Sequence, residues 1–329
     1  MKWGERTVLV TGAGGFIASH LVERLVAEGA HVRAFVRYNS RNDLGMLKLL
    51  PVNTFSRLDI VQGDLRDVEA VRRAVQGVDT VFHLGALIAI PYSYVNPREV
   101  IDVNVMGTLN VLSAARDLGT RRVVHTSTSE VYGTAQYVPI DEQHPLQGQS
   151  PYSASKIGAD RIAESFYRSF GVPVVTLRPF NTFGPRQSAR AVIPTIITQA
   201  LTRDVVKLGS LDPSRDFTFV ADTVDGFVRV AAADGVVGEE INLGNDNTIR
   251  IGDLVEEILA IVGKSPKVIA DPQRIRPDKS EVLKLWASNA KARELMGWEP
   301  RVSLSEGLRR TVEWIGDHLD LYRPDEYTV

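Results

Sequence analysis

Between Arg6 and Ser129 the chain alternates short apolar runs with helix-period patterns, and this alternation leaves few architectures open. The runs RTVLVTG, HVRAFVR, RLDIVQGD, DTVFHLGA and RRVVHTSTS are apolar at almost every position. Between them, FIASHLVERLVAEG, VEAVRRAVQG and VIDVNVMGTLNVLSAARDLG repeat apolar residues at helical spacing. Strands joined by helical crossovers run parallel, and strands apolar on both faces are covered by helices on both. The expected fold class is therefore α/β with a doubly wound parallel sheet. Gly29 and Gly119 fall just past two of the helical patterns, where a left-handed residue closes a helix.

A second regime begins after VPVVTLRPFN, near residue 180, where the alternation loses its regularity and Pro, Gly and charged loops become frequent. The expected division is a dinucleotide-binding domain over 1–180, and over 181–329 mainly a smaller C-terminal substrate-binding lobe, with some segments returning to the first domain. A chain of 329 residues supports two such bodies, and 44% hydrophobic with 24% charged residues excludes a disordered or fibrous protein. The net charge of −2 lacks the basic excess of a nucleic-acid or membrane-surface binder, so neither is expected as a partner. The absence of Cys removes disulfides and thiolate chemistry and fits a reducing compartment. With no apolar leader before the first strand and no membrane-length apolar run, the expected location is the cytoplasm.

The turn TGAGGFIASH follows the first strand and opens the first helix with the spacing GxxGxxA, from Gly12 through Gly15 to Ala18. Glycines there permit a tight turn and bring backbone N–H groups close to a pyrophosphate, which the helix N-terminus attracts. This is the Rossmann-type arrangement for NAD or NADP. Asp64, at the end of the third strand, is placed to meet adenine. An NAD-selective site puts an acid at the end of the second strand; here AFVRYNSR offers Arg37 and Arg41, which tilt the choice to NADP unless both simply face solvent.

Tyr152 and Lys156 stand four residues apart in SPYSASKIGAD, on one face of a helix started by Ser150-Pro151. An ammonium beside a phenol lowers its pKa, and the phenolate takes a proton from a sugar hydroxyl as hydride leaves the same carbon. The preceding strand ends in Thr126-Ser127-Thr128-Ser129-Glu130 at the carboxyl edge of the sheet, where doubly wound folds bind ligands. His83 and His125 lie within strand patterns as core residues, no metal-ligand spacing is present, and no metal is expected.

These motifs, together with RPFNTFGPRQ, RDFTFVADT and RPDKSEVLKLWASNAKARELMGW, make nearly the whole chain resemble the extended short-chain dehydrogenase/reductase family of nucleotide-sugar epimerases, dehydratases and decarboxylases. The resemblance implies a catalytic core of Thr128, Tyr152 and Lys156, with Ser127 beside them and Asn104 in a supporting helix. It implies cofactor contacts from Gly12, Gly15, Phe16 and Ile17 at the turn, from Arg37, from Asp64 and Leu65, from Leu84 and Ala86, and from Thr126, Tyr152 and Lys156. It assigns Asn181 to the sugar or phosphate, Arg215 and Arg276 to the diphosphate, and Lys207 to the neighbourhood of the base. The triplet Thr128-Ser129-Glu130 is similar to that of 4,6-dehydratases of the GDP-mannose type, and LIAIPYSYVNP resembles GDP-sugar dehydratases of legionaminic-acid pathways. UDP-glucuronate decarboxylases carry a similar triplet. The resemblance thus leads to a nucleotide-sugar 4,6-dehydratase that regenerates its cofactor, with a 4-epimerase, a decarboxylase or a non-catalytic dinucleotide sensor as alternatives. It also implies a homodimer formed through the helices around 97–118 and 152–170.

Overall fold

The computed structural model describes residues 3–275 and 277–323. Strands β1 (Thr7–Thr11), β2 (His31–Arg37), β3 (Asp59–Gly63), β4 (Thr80–His83), β5 (Arg122–Thr126), β6 (Val174–Pro179) and β7 (Glu240–Leu243) form one parallel sheet. Its order is β7-β6-β5-β4-β1-β2-β3. The order reverses between β1 and β4, whose last residues Thr11 and His83 are register partners. Such a reversal opens a crevice at the carboxyl ends of the strands.

The expected double winding follows from period-two burial. Val8 and Val10 of β1 face Leu21 and Val22 of α1 (Phe16–Ala27), whereas Leu9 between them faces the opposite core with Val71 and Val111. That second layer contains α2 (Val68–Val75), α3 (Gly107–Asp117) and α4 (Pro151–Phe170). The start of α4 is fixed by a reciprocal cap. Ser153 N donates to Ser150 Oγ at 3.1 Å, Ser150 N donates to Ser153 Oγ at 2.9 Å, and Pro151 occupies the first turn. Gly29 and Gly119 take the expected left-handed conformation, with φ of +90° and +67°.

Helices Val192–Thr202, Ile251–Val262 and Leu304–Asp317 build the lobe, with a parallel pair of strands, Val205–Leu208 and Lys267–Ala270. The chain does not stay there: the helix Val220–Ala232 packs on α1 and leads into β7. One apolar cluster runs from Val8 and Leu21 through Phe183 and Phe219 to Leu254 and Trp298, so sheet and lobe share a core. Among the described residues no helix is long and apolar enough to cross a membrane.

Candidate active site

At the crevice, Gly12 holds φ +66°, and a Cβ there would lie 2.7 Å from Gly85 Cα. Only glycine lets the first and fourth strands approach so closely. No side chain caps α1 at Gly15 and no acid lies in its first turn, a helix start whose N–H groups and dipole suit an anion. This chemistry fits a dinucleotide pyrophosphate. Beside it, Gly85 N donates to Thr11 Oγ1 at 3.0 Å, which sets the backbone of the Leu84–Ala86 segment. Leu65 is buried and its carbonyl accepts from Asn110 Nδ2 at 2.9 Å.

Two of the charged residues expected near the adenine are already engaged. Asp64 accepts from Arg66 Nε at 2.9 Å and NH2 at 2.6 Å, and its carboxyl is held below the ordinary range chiefly by that pair. Arg37 lies 3.6 Å from Glu99, which also accepts from the Tyr92 hydroxyl. Arg41 is exposed. Sequence alone left Arg37 open for a 2′-phosphate; the structure gives it a carboxylate partner from a segment far along the chain.

Tyr152 and Lys156 project from the first turns of α4 and are both buried. Lys156 Nζ donates to the Thr126 carbonyl at 2.6 Å. Burial pulls the ammonium down to about 8, against the opposing charge of Asp160. For Tyr152 the sign is opposite to that expected from sequence. Burial pushes the phenol up, the Thr128 hydroxyl partly offsets this by hydrogen bonding, and the Glu130 and Asp160 carboxylates add to the rise. Removing water from a phenolate costs more here than the Thr128 hydrogen bond returns.

Asn104 sits in a π-helical segment, Asp102–Met106, between the helix Pro97–Ile101 and α3. Its side chain accepts from Leu87 N at 2.8 Å and donates to Leu87 O and Ser155 Oγ at 2.9 Å each, joining the loop after β4 to α4.

A cavity of about 440 Å³ opens between sheet and lobe. Glu130, Asn181 and Arg215 line it together with Tyr94, Gln187 and Arg190. Arg215 lies 3.3 Å from Glu281, and Asn181 Nδ2 donates to Asp216 O at 3.3 Å. Thr128 accepts from Glu130 N at 3.2 Å and so caps the short turn Ser129–Tyr132 that presents Glu130.

Thr128, Tyr152 and Lys156 are not among the residues that line this cavity, and three further expected residues take other places. Lys207 is exposed and does not line the cavity; strand alternation turns its neighbour Leu208 inward instead. Ser129 is buried beneath the turn and does not line the cavity either. Ser127 donates to Asp160 Oδ2 at 2.8 Å. Arg276 lies outside the described residues. Among the described residues no group of three His, Asp or Glu is placed to hold a metal.

The family model for GDP-mannose 4,6-dehydratase matches residues 9–311. The chain belongs to that family. A UDP-glucose 4-epimerase of Mycolicibacterium smegmatis is 34% identical over 313 residues, which cover 93% of this chain and 97% of the relative. A dTDP-glucose 4,6-dehydratase of Streptomyces venezuelae, solved with NAD bound, superposes with a TM-score of 0.85 at 31% identity, covering 97% of this chain and 100% of the other. A UDP-glucuronic acid 4-epimerase of Bacillus cereus, solved with UDP-glucuronic acid and NAD, gives a TM-score of 0.86 at 28% identity, with 95% and 99% covered. This member of the dehydratase family is thus an enzyme of the NAD-dependent sugar dehydratase/epimerase type.

Two parts of this family member's site escaped the sequence reading. Tyr94 on the cavity wall comes from the short helix Ile90–Val95 and Arg190 from the turn before the helix Val192–Thr202, both too short to carry a periodic signal. Asp160 and Arg178 form a fully buried ion pair at 3.0 Å behind Lys156. Their signal was present: an acid one turn beyond the lysine on the covered face of α4, and an arginine inside the apolar strand VVTLRPF.

Proposed function

We propose that the enzyme is a nucleotide-sugar 4,6-dehydratase. The observation that carries this reading is Glu130: it opens into the cavity lined by Asn181 and Arg215, while its charge reaches Tyr152. A nicotinamide dinucleotide, when bound, supplies a hydride acceptor at C4 of the sugar, a hydride donor at C6, and in its oxidised form a positive charge that favours the Tyr152 phenolate. Gly12, Gly15, Phe16 and Ile17 would hold its pyrophosphate, and Lys156 its ribose edge.

In this reading Tyr152 accepts the proton of the 4-hydroxyl, with Thr128 donating to the developing charge. The C4 ketone acidifies C5, and Glu130 takes the C5 proton and passes it to the departing 6-hydroxyl, which leaves as water. Arg215 neutralises part of the diphosphate, and Asn181 orients the sugar. Incubation with GDP-, UDP-, dTDP- and CDP-hexoses tests this. A product lighter by one water supports the proposal, and an unchanged mass with altered retention overturns it in favour of epimerisation. The epimerase reading is favoured by the likeness to the M. smegmatis enzyme, and it needs Tyr152 and Lys156 without a base at C5.

Cofactor choice is proposed to favour NADP through Arg37. Breaking the Arg37–Glu99 pair is the cost of recruiting that guanidinium, and an exposed pair is worth about 1 kcal/mol or less. Arg37→Ala is expected to weaken NADP by roughly fivefold to tenfold and leave NAD within about twofold, measured by calorimetry. Equal loss for both dinucleotides would remove the assignment.

The enzyme is also proposed to be a homodimer. Ile101 and Met106 on the segment before α3, and Tyr167 and Phe170 at the end of α4, are large apolar side chains left exposed on adjacent helices. Sedimentation at micromolar concentration is expected to give twice the mass of the 36.3 kDa chain. Ile101→Lys with Phe170→Glu is expected to yield monomer.

A further inference from the structure

Behind Lys156 lies a charge cluster that takes no part in the chemistry above. Asp160 is one helical turn further along α4, and its side chain is completely buried. Each carboxylate oxygen is engaged. The His125 ring approaches Oδ1 through Nε2 at 3.1 Å, Ser127 Oγ donates to Oδ2 at 2.8 Å, and Arg178 donates to Oδ2 from Nε at 3.2 Å and NH2 at 3.0 Å. Burial alone would push this carboxyl up; the His125 hydrogen bond and the Arg178 charge hold it well below the usual range, so Asp160 is an anion and His125 Nε2 the donor.

The two residues that bind Asp160 from the sheet, His125 and Ser127, flank Thr126. The Thr126 carbonyl is the acceptor for Lys156 Nζ at 2.6 Å. Asp160 thus grips the backbone on both sides of the atom that holds the lysine, and from the same helix it faces the lysine's charge. We propose that Asp160 is a positioning residue of the active site, fixing the Thr126 carbonyl and keeping the Lys156 ammonium charged within a dry core.

The balance of charge supports this role. The charge of Lys156 is felt by Asp160 of α4, His83 of β4 and His125 of β5, while Asp160 in turn meets Arg178 of β6, which also contacts Tyr132 after β5 and Glu240 of β7, and Glu130 faces Tyr152. Burial keeps both histidines neutral, His83 bonding Thr11 Oγ1 at 2.8 Å and Thr108 Oγ1 at 3.1 Å. Arg178 is shared between Asp160 at 3.0 Å and Glu240 at 2.9 Å, and its NH1 donates to Tyr132 OH at 3.0 Å. Without Asp160, two buried cations would remain with Glu240 as the nearest compensation, and the lysine is the one able to lose its proton.

The proposal rests on the Tyr152–Lys156 pair acting at C4, and the test separates the two. In ligand-free protein the ¹³Cε resonance of Lys156 is followed through pH, and the single-turnover oxidation of the sugar nucleotide at C4 is followed by dinucleotide absorbance. Asp160→Asn is expected to lower the Lys156 midpoint from about 8 by a full pH unit or more. The alkaline limb of the oxidation rate should move with it, because the ammonium is then lost at lower pH, while sugar-nucleotide affinity stays within about twofold. Should that variant not fold, Ser127→Ala removes one donor beside Thr126 without touching a charge. It is expected to slow C4 oxidation by roughly threefold to tenfold at unchanged affinity. A midpoint within about 0.3 units of the wild type in Asp160→Asn, or a wild-type rate in Ser127→Ala, overturns the proposal. Retained oxidation in Tyr152→Phe would instead overturn the reading of the pair, which the Lys156 titration does not depend on.

Discussion

Tyr152→Phe is expected to abolish oxidation at C4, with the single-turnover rate falling by a factor on the order of 10²–10⁴ and no new sugar appearing by mass. In the proposed reaction the phenol oxygen takes the 4-hydroxyl proton as hydride departs, and a phenyl ring has no oxygen to do so. Its surroundings are tuned for transient charge. Burial holds the phenol up in the resting protein, the Thr128 hydroxyl stabilises the phenolate, and Lys156 stands one turn away with an ammonium that burial has drawn down to about 8. A phenyl ring fills the same volume and removes one hydroxyl, so the melting temperature should stay within about 5 °C, a shift corresponding to about 1 kcal/mol or less. Dinucleotide affinity should fall by less than the rate does, because the turn Gly12–Ile17 proposed to hold the pyrophosphate is untouched by the substitution. A variant that still oxidises the sugar at the parental rate would transfer the proton-accepting role to another group and withdraw the catalytic assignment of Tyr152.

The pH profile follows from the same residues. Lys156 is charged below about 8, so the favourable field at Tyr152 is complete at neutral pH and is lost as pH rises through that value. In terms of stability, the neutral lysine is the form favoured in the folded core, so this group penalises folding at low pH and the penalty fades as pH rises through 8 toward its ordinary value of 10.5.

How much of this was legible beforehand depends on the range of the interaction. The alternation of apolar runs gave the sheet and its helical layers, since period-two and period-3.6 burial are local properties, as Val8, Leu9 and Val10 show by facing alternate cores. The Tyr152–Lys156 pair and the cap at Ser150 were equally local. Features that depend on partners distant in sequence were not legible. The Arg37–Glu99 contact joins residues from different crossovers, and the outward turn of Lys207 is a register choice made by a four-residue strand pairing with Lys267–Ala270. The sign of the Tyr152 shift also depended on burial, which a spacing of four residues does not report.

Glu130→Gln is expected to divide the reaction where the structure divides its residues. Tyr152 and Lys156 project from α4, whereas Glu130 is carried by the turn that Thr128 caps, and it opens into the cavity with Asn181 and Arg215. In the proposed reaction oxidation at C4 would use the first pair, and loss of the C5 proton would need a base on the cavity wall. Glutamine keeps the size of the side chain and its hydrogen-bonding reach but accepts no proton, so dehydration should slow by a factor on the order of 10²–10⁴ while C4 oxidation survives. Reduced dinucleotide and a 4-keto sugar lighter than the substrate by the two hydrogens lost at C4 should then accumulate in one turnover, and the C5 hydrogen should exchange only slowly with solvent deuterium. A second consequence has a definite sign. The Glu130 carboxylate raises the Tyr152 phenol by like-charge repulsion, so removing its charge makes the phenolate easier to form, and the acidic limb of the oxidation step should move to lower pH. A catalytic base at C5 predicts both effects together. A shifted acidic limb with dehydration at the parental rate would mean that Glu130 acts on the phenol alone, and the proton at C5 would have to be sought by another group on the cavity wall.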